Sequence, residues 1–140
     1  MSVYNQHYRP RRLNNNRLAL VDWLSTETFD VEISLTFKRR LTLDEAENRL
    51  AYFWRTVDES LFKRSERRQG QGCVRACFVE TGISGEHVHY HIAAKLPKSL
   101  SFQMFKTKLE IFWNNTNDAG LAEFEPIRNN DAFLRYITKC

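Results

Sequence analysis

Apolar residues along this chain recur with two different periods, and the switches between them divide it into strands and helices. From Phe29 to Phe37 the alternation is strict. Val31, Ile33, Leu35 and Phe37 face one way and Glu32, Ser34 and Thr36 the other, which predicts a half-buried strand. Thr42 with Glu45 forms a capping box. Beyond it Leu43, Ala46, Leu50, Phe53, Trp54, Val57 and Leu61 repeat at helical spacing, predicting a long helix with one buried stripe. Gly70 and Gly72 end the connection that follows. Cys73 to Thr81 reads as a second strand, Gly82-Ile83-Ser84-Gly85 as a turn, and Glu86 to Leu96 as a third strand closed by Pro97. Ser99 or Ser101 is placed to cap a second helix with Phe102, Phe105, Leu109, Phe112 and Trp113 on its apolar positions. Leu121 to Ile127 is a short strand whose Pro126 predicts an edge, and Asn129 or Asn130 caps a last helix. Upstream, residues 1–16 read as an arm rich in Asn and Arg, followed by a helical turn or two at Leu18, Val21, Trp23 and Leu24.

The order strand, helix, hairpin, helix, strand, helix predicts an α+β fold, a central antiparallel β-sheet with helices packed mainly on one face. At 140 residues this is one domain, read as a basic arm over 1–16 and a folded domain over 17–140. No apolar run approaches the roughly 20 residues of a membrane span, and the N-terminus lacks a signal peptide's apolar core. A cytoplasmic protein without a membrane partner is therefore expected. The three cysteines, Cys73, Cys77 and Cys140, make neither a disulfide framework nor a zinc-finger spacing. Cys73 and Cys77 read as small, reduced, buried strand residues.

A net charge of +4 permits an anionic polymer as partner without requiring one. The basic residues cluster, Arg9, Arg11, Arg12 and Arg17 on the arm and Lys63, Arg64, Arg67 and Arg68 after the first long helix. Each cluster is open to two readings, a solvated run or a set of phosphate contacts to DNA.

The densest chemistry is His87-Val88-His89-Tyr90-His91. In a strand alternate side chains share a face, so all three imidazoles project from one side and Val88, Tyr90 and Ile92 from the other. Imidazoles so spaced can chelate a metal, although a polar strand face is the plainer alternative. With residues 82–85 as a four-residue loop, Thr81 stands opposite Glu86 and Glu80 opposite His87. Glu80 then lies on the histidine side, diagonal to His89. One carboxylate with two or three imidazoles suits Mn²⁺ or Mg²⁺ acting as a Lewis acid on phosphate.

The last helix carries Tyr136 and Lys139 three apart, on one face. A phenol with a pKa of about 10 is a poor nucleophile; a neighbouring ammonium favours its phenolate and a metal withdraws charge from the phosphate under attack. Alone, such a pair is more often a packed tyrosine beside a solvated lysine.

Together, in this order, the alternating strand Val31–Phe37, the His-x-His strand preceded by Glu80, and Tyr136-Ile137-Thr138-Lys139 resemble the three motifs of the HUH endonuclease superfamily, and specifically its rolling-circle replication initiators. The resemblance covers about residues 29–139. It implies a sheet like that of an RNA-recognition domain and a divalent cation held by two histidines and an acidic or polar third ligand. It also implies a tyrosine that attacks a phosphodiester in single-stranded DNA, leaving a free 3′-OH and a 5′-phosphotyrosine. Carried onto this chain, Tyr136 is the nucleophile, Lys139 its lysine and Glu80 the third ligand. The family uses two histidines where this strand offers three: the spacing from Glu80 favours His89 with His91, while Glu86-His87-Val88-His89 is similar to the corresponding segment of single-tyrosine transposases, and His89 belongs to both pairings. The expected partner is a replication origin, with or without a hairpin, on a plasmid, phage or other mobile element. Many initiators continue into further domains, so the chain reads either as a catalytic part or as a minimal nickase. The alternatives are a single-tyrosine transposase, a non-catalytic nucleic-acid-binding module with Phe78 and Tyr90 as stacking platforms, and a small-molecule zinc or iron enzyme.

Overall fold

A computed structural model describes residues 6–8, 28–82 and 87–137, with the backbone alone described at 6–8 and 134–137. The elements are β1 (Gln6–Tyr8), β2 (Val31–Phe37), α1 (Leu43–Leu61), α2 (Arg64–Arg68), β3 (Arg75–Glu80), β4 (His89–Ala94), α3 (Phe102–Asn114), β5 (Ala119–Pro126) and α4 (Asn130–Ile137). They form an α+β fold on a five-stranded sheet of order β1-β3-β4-β2-β5. The four strands β3, β4, β2 and β5 pair antiparallel, and β1 joins β3 in parallel at the edge. Gln6–Tyr8 thus belongs to the sheet although it falls in the segment read as an arm. Three residues are too few to show a period of two, and this pairing exists only once β3 offers its edge. The helical turns expected at 18–24 lie outside the described residues.

Each helix starts where its side chains can satisfy the exposed N–H groups. Thr42 Oγ1 accepts from Glu45 N at 3.1 Å and the Glu45 carboxylate accepts from Thr42 N at 3.0 Å, completing the predicted capping box. Ser101 Oγ accepts from Met104 N at the start of α3, and Asn129 Oδ1 from Ala132 N at the start of α4. The long helix stops at Leu61, and Lys63 opens the separate short helix α2. Gly70 closes that turn at φ +82°, a backbone region that an L side chain disfavours.

Strand alternation sorts the side chains into two layers. Val31, Ile33 and Leu35 of β2, Tyr90, Ile92 and Ala94 of β4 and Cys77 and Val79 of β3 pack against Ala46, Leu50, Phe53, Trp54 and Val57 of α1 and Phe105, Leu109 and Trp113 of α3. The opposite face carries a smaller cluster, Phe29, Ala76, Phe78 and Ala93, against which Phe133 of α4 packs. Two helices therefore cover one face and α4 the other. Burial pushes the thiols of Cys73 and Cys77 up to about 12, so both remain protonated and inert at neutral pH.

The loop between α3 and β5 is tied down by Asp118, at φ 64°, a left-handed conformation that aspartate tolerates better than most residues. Its carboxylate bonds Arg39 Nε at 2.9 Å and Arg49 Nη2 at 3.2 Å. Opposite, the register of β2 against β5 shifts between Leu35 and Phe37. Gly120 sits against this irregularity, where a Cβ would stand 2.7 Å from Thr36 Oγ1, so no larger residue fits without displacing β2.

One buried ion pair links the helix layer to the sheet. Arg75 Nη1 donates to Asp58 Oδ2 at 2.9 Å and Oδ1 at 3.1 Å, and Asp58 Oδ1 accepts from Cys73 N at 2.9 Å. The Arg75 guanidinium lies over the Trp54 ring at 4.3 Å. Removing one partner of such a pair leaves a buried uncompensated charge, so Asp58→Ala is expected to cost about 3–5 kcal/mol in urea-unfolding stability. A loss below about 1 kcal/mol would show that water relieves Arg75 without Asp58.

Candidate metal centre

The antiparallel ladder between β3 and β4 sets Glu80 directly opposite His89 and Phe78 opposite His91. This register differs by two residues from the expected one, in which Glu80 stood opposite His87. β4 begins at His89 instead of Glu86, so a longer connection spans the turn, of which residues 83–86 lie outside the described residues. An even-numbered slip keeps every side chain on its own face. Glu80 therefore still projects on the histidine side, now beside His89 rather than diagonal to it.

Glu80, His89 and His91 converge. Glu80 Oε2 stands 2.7 Å from His91 Nε2 and 3.1 Å from His89 Nε2, and the donor atoms of the three residues all lie within 4.8 Å of one another. Donors sharing one ion at 2.0–2.2 Å stand about 3 Å apart, so the cluster can hold a metal ion. The rings sit edge to face, with centroids 5.2 Å apart. His89 Nδ1 faces the His87 carbonyl at 3.4 Å. A proton on that nitrogen directs it to the carbonyl and leaves the Nε2 lone pair free, the arrangement that metal-bound histidines usually show. His87, a further candidate ligand in the sequence, contributes only this carbonyl: its exposed side chain stands outside both strand and cluster. The choice among the three histidines thus falls on His89 and His91.

The surrounding face is acidic. Glu32 pairs with Ala93 on one side and Glu125 on the other, and Ser34 pairs with His91 and Glu123. Directly opposed residues share a face, so Glu32, Glu123 and Glu125 lie on the histidine side with Glu80. Burial, with the charge of Glu125, raises the Glu32 carboxyl above its ordinary range, opposed by the attraction of His91. The sequence already held this signal, because Glu32 and Ser34 are the polar positions of the alternating strand.

The other expected functional residues divide. Lys63, Arg64, Arg67 and Arg68 sit on and before α2, which follows the end of α1 that carries Asp58. Asp58 binds Arg75, five residues from Glu80 along β3, about 17 Å at strand rise, and on the opposite face. This basic segment is therefore not brought to the histidines. Arg9, Arg11, Arg12, Arg17 and Lys139 lie outside the described residues. Tyr136 falls within α4, whose Phe133 packs on the cluster of Phe29, Ala76, Phe78 and Ala93, of which Phe78 and Ala93 are strand neighbours of His91 on the histidine side. Phe78 and Tyr90 are each only 1 % exposed, Tyr90 with its hydroxyl 3.1 Å from Glu47 Oε2. Neither offers a stacking surface.

Comparisons of the chain with protein-family models, with curated proteins and with solved structures find no match. No helix among the described residues is long and apolar enough to cross a membrane.

Two outcomes are expected of this centre. By calorimetric titration with Mn²⁺, His89→Ala, His91→Ala and Glu80→Gln should each weaken binding by more than the 10–100-fold typical of losing a ligand's outer partner, while His87→Ala titrates like the parent. Glu32 is protonated more readily in the folded chain than in the unfolded one. Its ionisation therefore costs stability progressively as pH rises from the ordinary glutamate range through the raised value. Glu32→Gln should raise the melting temperature at neutral pH in the presence of chelator, and the gain should vanish below pH 4; an advantage that persists there would exclude titration as its source.

Proposed function

We propose that this chain is a metal-dependent, site-specific nickase of single-stranded DNA, with Tyr136 as nucleophile, acting at a replication origin. The observation that carries the reading is the convergence of Glu80, His89 and His91 on the sheet face against which α4 packs through Phe133. Tyr136 is three residues past Phe133, about 4.5 Å along the helix axis.

The electrostatics favour metal-dependent chemistry. A phosphate approaching this face meets Glu32, Glu80, Glu123 and Glu125, and without a cation it would be repelled. Mn²⁺ or Mg²⁺ held by Glu80, His89 and His91 would supply Lewis-acid polarisation of the scissile phosphate and offset that field. In the proposed step the Tyr136 oxygen bonds to phosphorus and the P–O3′ bond breaks. The phenol loses its proton and the leaving 3′ oxygen gains one, so charge is conserved and the bond energy remains in the 5′-phosphotyrosine. Lys139, by the motif resemblance, favours the phenolate.

The competing readings separate on named features. A non-catalytic nucleic-acid module needs exposed aromatic platforms, whereas Phe78 and Tyr90 are buried. A small-molecule enzyme would use the same donor set, which also suits zinc or iron, but gives Tyr136 no role. A single-tyrosine transposase would also use Tyr136 and strand histidines and differs in joining two DNA ends; the Tyr-x-x-Lys spacing of Tyr136 and Lys139 argues for the initiator.

Incubation with a pool of single-stranded oligonucleotides and Mn²⁺ is expected to add a nucleotide mass to the peptide containing Tyr136. Chelation, His89→Ala or Tyr136→Phe should remove the adduct and cut cleavage by about 10³-fold or more. Cleavage undiminished in Tyr136→Phe would refute the tyrosine mechanism. Strand joining between two ends by a dimer would favour the transposase.

A further inference from the structure

The helix-covered side of the molecule holds a second concentration of polar chemistry, remote from the histidines. A cavity of about 500 Å³ opens between the C-terminal half of α1, the connection from α2 and the start of β3, with Trp54, Arg55, Asp58, Arg67 and Arg75 among its lining residues. Arg75 is 2 % exposed. Its Nη1 is engaged by Asp58 and by the Cys73 carbonyl at 2.9 Å, but its Nε–H is buried without an acceptor. Such groups are rare in folded proteins because nearly every buried donor finds a partner. The Arg75 guanidinium, a residue of the cavity lining, thus keeps hydrogen-bonding capacity that no protein group uses among the described residues.

The charges around the cavity specify its ligand. Arg55 is exposed, and Arg67 uses its Nε on the Phe62 carbonyl at 3.3 Å; neither makes an ion pair among the described residues. Asp58 is already committed to Arg75 and to the Cys73 N–H, which leaves Glu59 alone against two arginines. Arginine's planar fork matches the oxygens of phosphate, and the bonds are charge-assisted. We propose that this cavity is a phosphate-binding site, which takes the phosphate group of a nucleotide or of a nucleic-acid strand on Arg55 and Arg67, beside the guanidinium of Arg75. The site does not depend on the metal centre, since it lies on the other face and at the other end of β3.

Calorimetry in the presence of chelator, with inorganic phosphate, thymidine monophosphate and a single-stranded oligonucleotide as probes, tests the assignment. Phosphate and the mononucleotide are expected to bind, and Arg55→Ala and Arg67→Ala, both remote from the core, should each weaken binding about tenfold or more. Circular dichroism should stay unchanged in both variants. Displacement of the mononucleotide by the oligonucleotide assigns the phosphate to a strand, and independent binding of the two assigns it to a free nucleotide; both support the site. Failure of phosphate and mononucleotide to bind at millimolar concentration, or binding indifferent to both arginine substitutions, would overturn it.

Discussion

The backbone ladder between β3 and β4 is the constraint on which the candidate metal centre rests. Glu80 and His89 come from strands joined by a connection that the hydrophobic pattern does not specify, and only the hydrogen-bonded register sets them side by side. The same ladder, extended through β2, puts Ser34 beside His91 and Glu32 beside Ala93. A slip of one residue would turn Glu80 into the helix layer and Val79 out of it. The apolar burial of Cys77, Val79, Tyr90 and Ile92 under α1 and α3 opposes such a slip. Packing on one face thus secures chemistry on the other.

This division explains what could be read in advance. The period-two run of β2, the capping box at Thr42 and the apolar stripes of α1 and α3 are local patterns, and each appears in the fold where its residues predict it. Glu80 fell on the correct face because an error of two residues preserves parity. Its partner was misassigned because the length of the connection, and not burial, chooses between registers of equal parity. The role of Arg75 was not legible. An arginine in an apolar strand carries no sign that a carboxylate seventeen residues earlier, on another element, will pair with it. The strand Gln6–Tyr8 escaped for a similar reason, since its partner is far away in sequence.

The two faces also differ in charge. Carboxylates gather around the histidines, while the arginines of α1 and α2 gather around the cavity at the far end of β3. A basic segment read from the sequence alone invites placement beside the histidines. The fold instead separates them, so a nucleic-acid strand touching both would have to pass around the sheet.

The position of β5 has a consequence for how the molecule behaves in a crowded solution. As the outermost strand among the described residues it presents backbone groups that another sheet could pair with, a common origin of fibrillar association. Its outward residues include Glu123 and Glu125, and it ends in Pro126, which has no N–H to donate. A second copy approaching antiparallel would set acid against acid along the join. The carboxylates that make one face receptive to a cation also guard the open margin of the sheet against its own kind.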